Sequence, residues 1–167
     1  MKQKIAVVRR GFSLAELLVV FAVLAVLLVG AIGAFSPRAQ TSKARDIRRK
    51  KDLARIRVAF EDFYNDKGCY PKSADYNFGD SSKCHKNFFS PWLSPWPCDP
   101  SKQAYYFVLA EAECPKWFEV MANLENKNDS DIPQGWYEGE INLANGLTNK
   151  EVNYGVSSTN VKWNDLQ

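Results

Sequence analysis

Hydrophobic residues are concentrated in one uninterrupted run near the start of the chain. The run covers residues 12–35 and contains a single ionisable side chain, Glu16. As a helix it would be about 36 Å long at ~1.5 Å per residue, and the hydrocarbon core of a bilayer is about 30 Å thick. Because the run is apolar on every face, it predicts a membrane-spanning helix rather than a helix of a soluble core.

The pattern becomes amphipathic after Pro37. Apolar side chains then recur every three or four residues, and no glycine or proline interrupts them before Gly68. We therefore expect one nearly continuous helix from Phe12 to about Asp66, with its second half packed on a globular head. Ile56, Phe60 and Phe63 are the stripe that should lie on the head. The apolar positions that carry the whole pattern are Ile47, Leu53, Ile56, Phe60, Phe63 and Tyr64.

The head, residues 68–167, alternates short apolar stretches with clusters of proline, glycine, asparagine and aspartate. Residues 105–109, 118–122 and 152–156 are typical of strands. Residues 68–101 form a long proline-rich loop, and a loop of this length needs to be tied down. The pattern predicts an α+β fold, in which a long N-terminal helix packs on a small antiparallel sheet.

Four cysteines lie in this head, at positions 69, 84, 98 and 114. No CxxC pair occurs and the chain has one histidine, so disulfides outside the cytoplasm are favoured over a zinc site, with four buried thiols as the alternative. Three connectivities exist. We prefer Cys69–Cys84 with Cys98–Cys114, because sequential pairs each close a short loop.

Charge is distributed unevenly along the 167-residue chain, although its net charge is only +3. Residues 38–57 hold nine basic and two acidic side chains, whereas residues 58–167 hold nine basic and sixteen acidic ones. The basic cluster has three interpretations: a solvated helix face, pairing with the acidic heads of other subunits, or binding of nucleic acid or anionic lipid. Its members are Lys43, Arg45, Arg48, Arg49, Lys50 and Lys51.

A motif overlaps the start of the apolar run. Residues 10–20, which include Gly11, Phe12 and Glu16, resemble the prepilin motif of type IV pilins and type II secretion pseudopilins. The resemblance implies that a prepilin peptidase removes the basic leader 1–11 between Gly11 and Phe12, and that it N-methylates the new Phe12 amine. It also implies that Glu16 pairs with the Phe12 amine of an adjacent subunit.

The residue chemistry of Glu16 leads to a similar expectation. An ionised carboxylate in a lipid-facing helix costs about 3 kcal/mol or more, so Glu16 either reaches water at the interface or needs a cationic partner. Basic residues after the apolar run outnumber those before it, which taken alone would place the head in the cytoplasm. Long domains translocate largely regardless of charge, so we expect the head outside.

The resemblance extends into the head. Residues 64–71, 96–100 and 104–107 are similar to the helix exit, loop and first strand of major pseudopilins, and the similarity weakens after Leu109. In that family a C-terminal loop binds calcium, which makes residues 126–131 a candidate calcium loop against an ordinary polar turn. Its oxygen ligands would come from Asn126, Asn128, Asp129 and Asp131.

No catalytic motif stands out, so we expect neither an enzyme nor a catalytic cofactor. The expected organisation is a cleaved leader (1–11), a transmembrane or filament-core helix (12–36), its amphipathic continuation (37–67) and an extracytoplasmic head (68–167). The expected function is a structural subunit of a type IV pilus-like filament. A secretion pseudopilin and a monomeric membrane-anchored binding module are the alternatives.

The expected partners follow from the resemblance. They are other copies of the chain in a helical filament, the prepilin peptidase, an assembly platform in the membrane and membrane lipid, with nucleic acid as a weaker alternative. The expected location is a single-pass membrane protein with an extracytoplasmic head before assembly, and a surface or periplasmic filament afterwards.

Overall fold

The computed structural model describes residues 11, 13–34, 37–136, 146–148 and 150–161. The chain forms two compact units, residues 1–39 and residues 40–167. Helices come first in the chain and an antiparallel sheet follows them, which confirms the predicted α+β class. The elements are α1 (Leu14–Ala34), α2 (Pro37–Lys67), α3 (Ser73–Tyr76), a 3₁₀ turn (Ser81–Lys83), β1 (Tyr106–Leu109), β2 (Phe118–Ala122) and β3 (Tyr154–Ser157).

The helix α1 has 21 residues and is therefore about 32 Å long. Ser13 caps its first turn, because the Ser13 Oγ accepts a hydrogen bond from the Glu16 N–H at 3.1 Å. The structure has helix on both sides of residues 35–36, which lie outside the described residues, so the continuity of the predicted helix stays a prediction.

The helix α2 ends one residue later than expected, at Lys67. Gly68 adopts a φ of 76°, a conformation that glycine tolerates best, and donates its N–H to the Tyr64 carbonyl at 2.7 Å. The predicted stripe is confirmed, because Ile56, Phe60 and Phe63 are buried, and Leu53 is buried with them. Ile47 belongs to the same apolar pattern but lies outside this face, and its side chain is 67% exposed.

The three strands form an antiparallel sheet in the order β1-β2-β3, as predicted. Phe118 and Val120 of β2 face α2, and the Phe60 ring lies 4.9 Å from the Phe118 ring. Because side chains alternate along a strand, Met121 faces the other way and packs in a second, smaller cluster with Trp136. Buried apolar side chains therefore pack on both faces of the sheet.

The long loop contributes much of the main core. Phe78 and Trp96 are buried against Phe60, with ring centroids 5.0 and 6.4 Å from it. Phe89 lies 5.6 Å from the same ring. The loop is thus held by aromatic packing as well as by cysteines.

All four cysteines form disulfides, but the predicted pairing is wrong. The bonds are Cys69–Cys114 and Cys84–Cys98. The first joins the end of α2 to the β1–β2 connection, because the Tyr70 N–H bonds the Pro115 carbonyl at 2.9 Å beside it. Tertiary topology therefore selects a partner 45 residues away.

The second disulfide has a local cause. The His85 N–H bonds the Trp96 carbonyl and the Trp96 N–H bonds the Lys86 carbonyl, both at 2.9 Å. This two-way pairing folds the loop back on itself and brings Cys84 opposite Cys98, with Cα atoms 5.5 Å apart. Loop length alone could not reveal it, because the three spacings between consecutive cysteines differ by only one or two residues.

Candidate functional site

The surface of α1 is apolar on every side. All side chains from Leu14 to Ala31 are exposed within the described structure, and this window is long and apolar enough to cross a membrane. Exposed apolar surface of this extent marks a segment that meets lipid or another protein chain. The helix is therefore the first of two candidate functional features.

The charged group of this helix lies at its start. Glu16 is the third residue of α1, and Ser13 with Glu16 forms the Ser-x-x-Glu pattern of a helix N-terminus, which the sequence analysis did not use. Gly11 is described, and a Cβ there would meet nothing within 4 Å among the described residues. The predicted methylation site Phe12 and residues 1–10 lie outside the described residues.

The second feature is an ionic clamp, which consists of Arg45, Asp46, Arg49 and Lys50 of α2 and holds two loops of the head. Arg49 is at its centre and is 5% exposed. Its guanidinium donates to Asp46 Oδ1 at 2.8 Å, to Asp99 Oδ2 at 2.5 Å and to Glu125 Oε1 at 2.9 Å. One buried cation is thus shared by three carboxylates from three parts of the chain.

The clamp holds the chain after β2 by main-chain contacts too. The Asp46 carboxylate accepts the N–H groups of Glu125 and Asn126, each at 2.9 Å. Arg45 forms a bidentate pair with Glu125, with distances of 2.7 and 2.5 Å. The Arg45 hydrogen bond is the main reason why the pKa of Glu125 lies below its ordinary value.

Lys50 completes the clamp at the candidate calcium loop. Its Nζ lies 2.5 Å from Asp129 Oδ1 and 2.7 Å from Asp131 Oδ2. Burial lowers the pKa of the Lys50 ammonium, but these hydrogen bonds outweigh burial and raise it above the ordinary value. The ammonium thus supplies positive charge where the carboxylates of Asp129 and Asp131 converge.

The predicted calcium ligands are accordingly split between different tasks. Asn126 accepts the Asn128 N–H through its side chain at 3.3 Å, while the two aspartates bind Lys50. Among the described residues, no group of three or more histidine, cysteine, aspartate or glutamate side chains is arranged to hold a metal ion. Calcium binding by Asn126, Asn128, Asp129 and Asp131 stays a prediction.

Substitution of Lys50 by methionine should release this loop. Without the ammonium the two aspartates repel each other, and the lost charge-assisted hydrogen bonds are worth about 1.5 kcal/mol. We expect roughly tenfold faster hydrogen–deuterium exchange of residues 125–131 in the variant. The wild-type rate should be the same in calcium and in a chelator.

Lys51→Met is the matched control, since Lys51 is the exposed neighbour of Lys50 on the same helix. It should leave the exchange rate of the loop unchanged. Loop protection that is lost when calcium is chelated from the wild-type chain would contradict the role of Lys50 and support the calcium prediction.

The clamp changes the interpretation of the basic cluster. Arg45, Arg49 and Lys50 pair with acidic groups of their own head, whereas the sequence analysis considered only solvent, other subunits and phosphate. The sequence does contain a signal for these contacts. Asp46, Arg49, Leu53 and Ile56 follow one another at spacings of three, four and three residues, so Asp46 and Arg49 continue the buried stripe of α2. Arg48, with a side chain 58% exposed, fits a solvated face.

Together these features define a class of protein. An exposed apolar helix with one acid in its first turn is followed by an amphipathic helix that packs on a small antiparallel sheet with two disulfides, which is a pilin-like α+β architecture. Residues 8–32 match the family model of the prokaryotic N-terminal methylation motif. The chain therefore carries the signature of type IV pilin and pseudopilin prepilin-like proteins, a structural class.

The family model is confined to the N-terminal segment, and it covers neither the clamp nor the disulfides. No curated protein and no solved structure matches the chain.

Proposed function

We propose that the chain is the structural subunit of a type IV pilus-like filament. It is inserted in the membrane as a prepilin, cleaved after Gly11, N-methylated at Phe12 and polymerised through α1. It acts as a building block and not as an enzyme, and it uses no catalytic cofactor. Its partners are further copies, the prepilin peptidase and the membrane assembly platform.

The observation that carries the proposal is the combination of the methylation motif with the fully exposed apolar α1. A helix of this kind is stable in lipid before assembly and in a bundle of identical helices afterwards. Glu16 gives the two states different energies, because a carboxylate is costly in lipid and is compensated in a bundle that supplies the Phe12 amine.

The head is suited to an extracytoplasmic location. Two disulfides are typical of oxidising compartments, and its contacts with α2 are numerous enough to keep the head attached to the helix during assembly. The cysteine-bearing head favours a surface pilus. The likeness of residues 96–107 to major pseudopilins supports the alternative, a subunit of a type II secretion pseudopilus.

Immunogold electron microscopy of the native cell, with antibody against the head, tests the proposal. Long labelled fibres on the surface are the expected result. Labelled fibres that occur only when the chain is overproduced would instead support the secretion pseudopilus. In that case we expect the filament of an unperturbed cell to stay within the cell envelope. A monomeric membrane-anchored binding module predicts labelled membrane and no fibres under either condition, which would refute the filament proposal.

A further inference from the structure

The side of α2 opposite its buried face carries apolar residues that stay exposed among the described residues. Ile47 and Val58 are 67% and 60% exposed, and Ala54 between them is exposed as well. Beside Val58 lies an open groove of about 390 Å³ that Ala54, Trp92 and Leu93 also line. We call this side the outer face; it comprises Ile47, Lys51, Ala54, Arg55, Val58, Asp62 and Asp66.

The charges of the outer face are separated along the helix. Its N-terminal part carries Lys51 and Arg55, and its C-terminal part carries Asp62 and Asp66, all exposed. Within the described part of the chain, Lys51 and Asp62 form no ion pair. Arg55 lies 3.9 Å from Asp52, and Asp66 accepts the Trp92 indole N–H at 2.6 Å. Lys51 and Asp62 are therefore the two charges of this face that a second copy can neutralise most directly.

The spacing of these groups repeats. Val58 follows Ile47 by 11 residues, Asp62 follows Lys51 by 11, and 11 residues are about three helical turns. Each pair therefore lies on one side of the helix. When a second α2 lies parallel to the first and is shifted by 11 residues, apolar groups meet apolar groups and each basic group meets an acidic one.

We infer that the outer face is a head-to-tail contact between copies of this chain, in which Ile47 of a second copy lies on Val58 and in the adjoining groove. Lys51 of the second copy then lies level with Asp62, and Arg55 lies level with Asp66. The axial shift is about 16 Å at 1.5 Å per residue. This inference rests on the proposed filament function and assigns a register to it.

The contact propagates because it is not symmetric. Each copy uses the N-terminal part of its outer face toward one neighbour and the C-terminal part toward the next. A heterologous contact of this kind produces open helical assemblies rather than closed dimers. An antiparallel pair of α2 helices, in contrast, would satisfy the same charges in a closed dimer.

Cysteine cross-linking in assembled filaments distinguishes these arrangements. The double variant Ile47→Cys/Val58→Cys should give a ladder of covalent oligomers on a non-reducing gel after mild oxidation. The four native cysteines are already paired and do not interfere. Each single variant should remain monomeric.

The double variant Ile47→Cys/Ala54→Cys is the control for register. Both positions lie on the outer face. In the inferred register, however, Ile47 of one copy and Ala54 of the other are offset along the helix axis by four residues, or about 6 Å, which is too far for a disulfide. A ladder in this control, dimers alone in the first variant, or filaments that give no ladder would each overturn the inferred register. Absence of filaments from the wild-type chain would overturn the proposed function, and the inferred contact with it.

A charge exchange tests the same contact without cysteines. Lys51→Asp and Asp62→Lys should each reduce the amount of filament severalfold, and their combination should restore the wild-type amount. Additive losses in the combined variant would contradict the pairing of Lys51 with Asp62.

Discussion

Replacement of Glu16 by glutamine is expected to abolish filaments while the processed subunit accumulates in the membrane. The substitution keeps the size of the side chain and removes its charge. In the bundle, the Phe12 amine then has no counter-charge, and a buried unpaired charge costs about 3–5 kcal/mol per subunit. This cost corresponds to a loss of more than a hundredfold in the assembly equilibrium. The measurement is the amount of subunit in sheared surface fibres relative to the membrane fraction.

Leu17→Ala is the matched control, since Leu17 is the adjacent exposed apolar residue of α1. It removes apolar contact area but no charge, so filaments should persist in reduced number. The head should remain folded in both variants, because residues 14–31 make no buried contact within the described structure. Wild-type fibre yields from Glu16→Gln would refute the pairing of Glu16 with the Phe12 amine.

Arg49→Met is expected to destabilise the head more than any other substitution in the basic cluster. The guanidinium is buried and neutralises Asp46 and Asp99, whose carboxylates are also buried or nearly so. Removal of one member of such a group costs about 3–5 kcal/mol, which is a large share of the 5–15 kcal/mol that stabilises an ordinary domain. Urea denaturation of the detergent-solubilised chain, followed by tryptophan fluorescence, gives the free energy of unfolding.

Arg48→Met provides the control, because Arg48 is the exposed neighbour and lies 3.8 Å from Asp52. An exposed pair contributes about 0–1 kcal/mol, so the midpoint should hardly move. Arg49→Lys should fall between the two, since lysine keeps the charge but cannot bind several carboxylates in one plane. Equal unfolding free energies for Arg48→Met and Arg49→Met would contradict the account of the clamp.

The clamp also predicts an acid dependence. Burial raises the pKa of Asp99, but hydrogen bonds from Arg49 and Ser101 outweigh burial and hold it below its ordinary value. A carboxyl group with a lowered pKa stabilises the fold above the pKa of the unfolded state, about 3.9, and loses this contribution as the pH falls through its folded pKa. The wild-type head should therefore lose stability below about pH 4, and Arg49→Met should lose less over that interval.

The helices and strands were largely predictable because their signals are local. The apolar run gave α1, the three apolar stretches gave β1–β3, and Gly68 marked the end of α2. Ile47 fits the amphipathic pattern by its hydrophobicity, but its side chain is exposed. Asp46 and Arg49 hold the corresponding helical positions on the buried side instead. Arg49 binds the acids Asp99 and Glu125 of the opposite loops, and Asp46 accepts hydrogen bonds from Arg49 and from two backbone N–H groups of the chain after β2.

The disulfides and the clamp depend on contacts between distant segments, and one sequence does not encode them in a local pattern. Cys69 meets Cys114 because β1 carries the chain away and the following connection returns it to the end of α2. Lys50 meets Asp129 and Asp131, which are about 80 positions later in the chain. Opposite charge made these partners plausible, but only the fold selects them from the other acids of the head.

The most direct test of the central claim is the intact mass of the mature chain from the cell envelope, combined with sequencing of its N-terminal peptide. The expected chain lacks residues 1–11 and begins with N-methylated Phe12. A Gly11→Arg variant should retain the leader, with the mass of the full chain. A wild-type envelope protein that begins at Met1 and carries no methyl group would contradict the account.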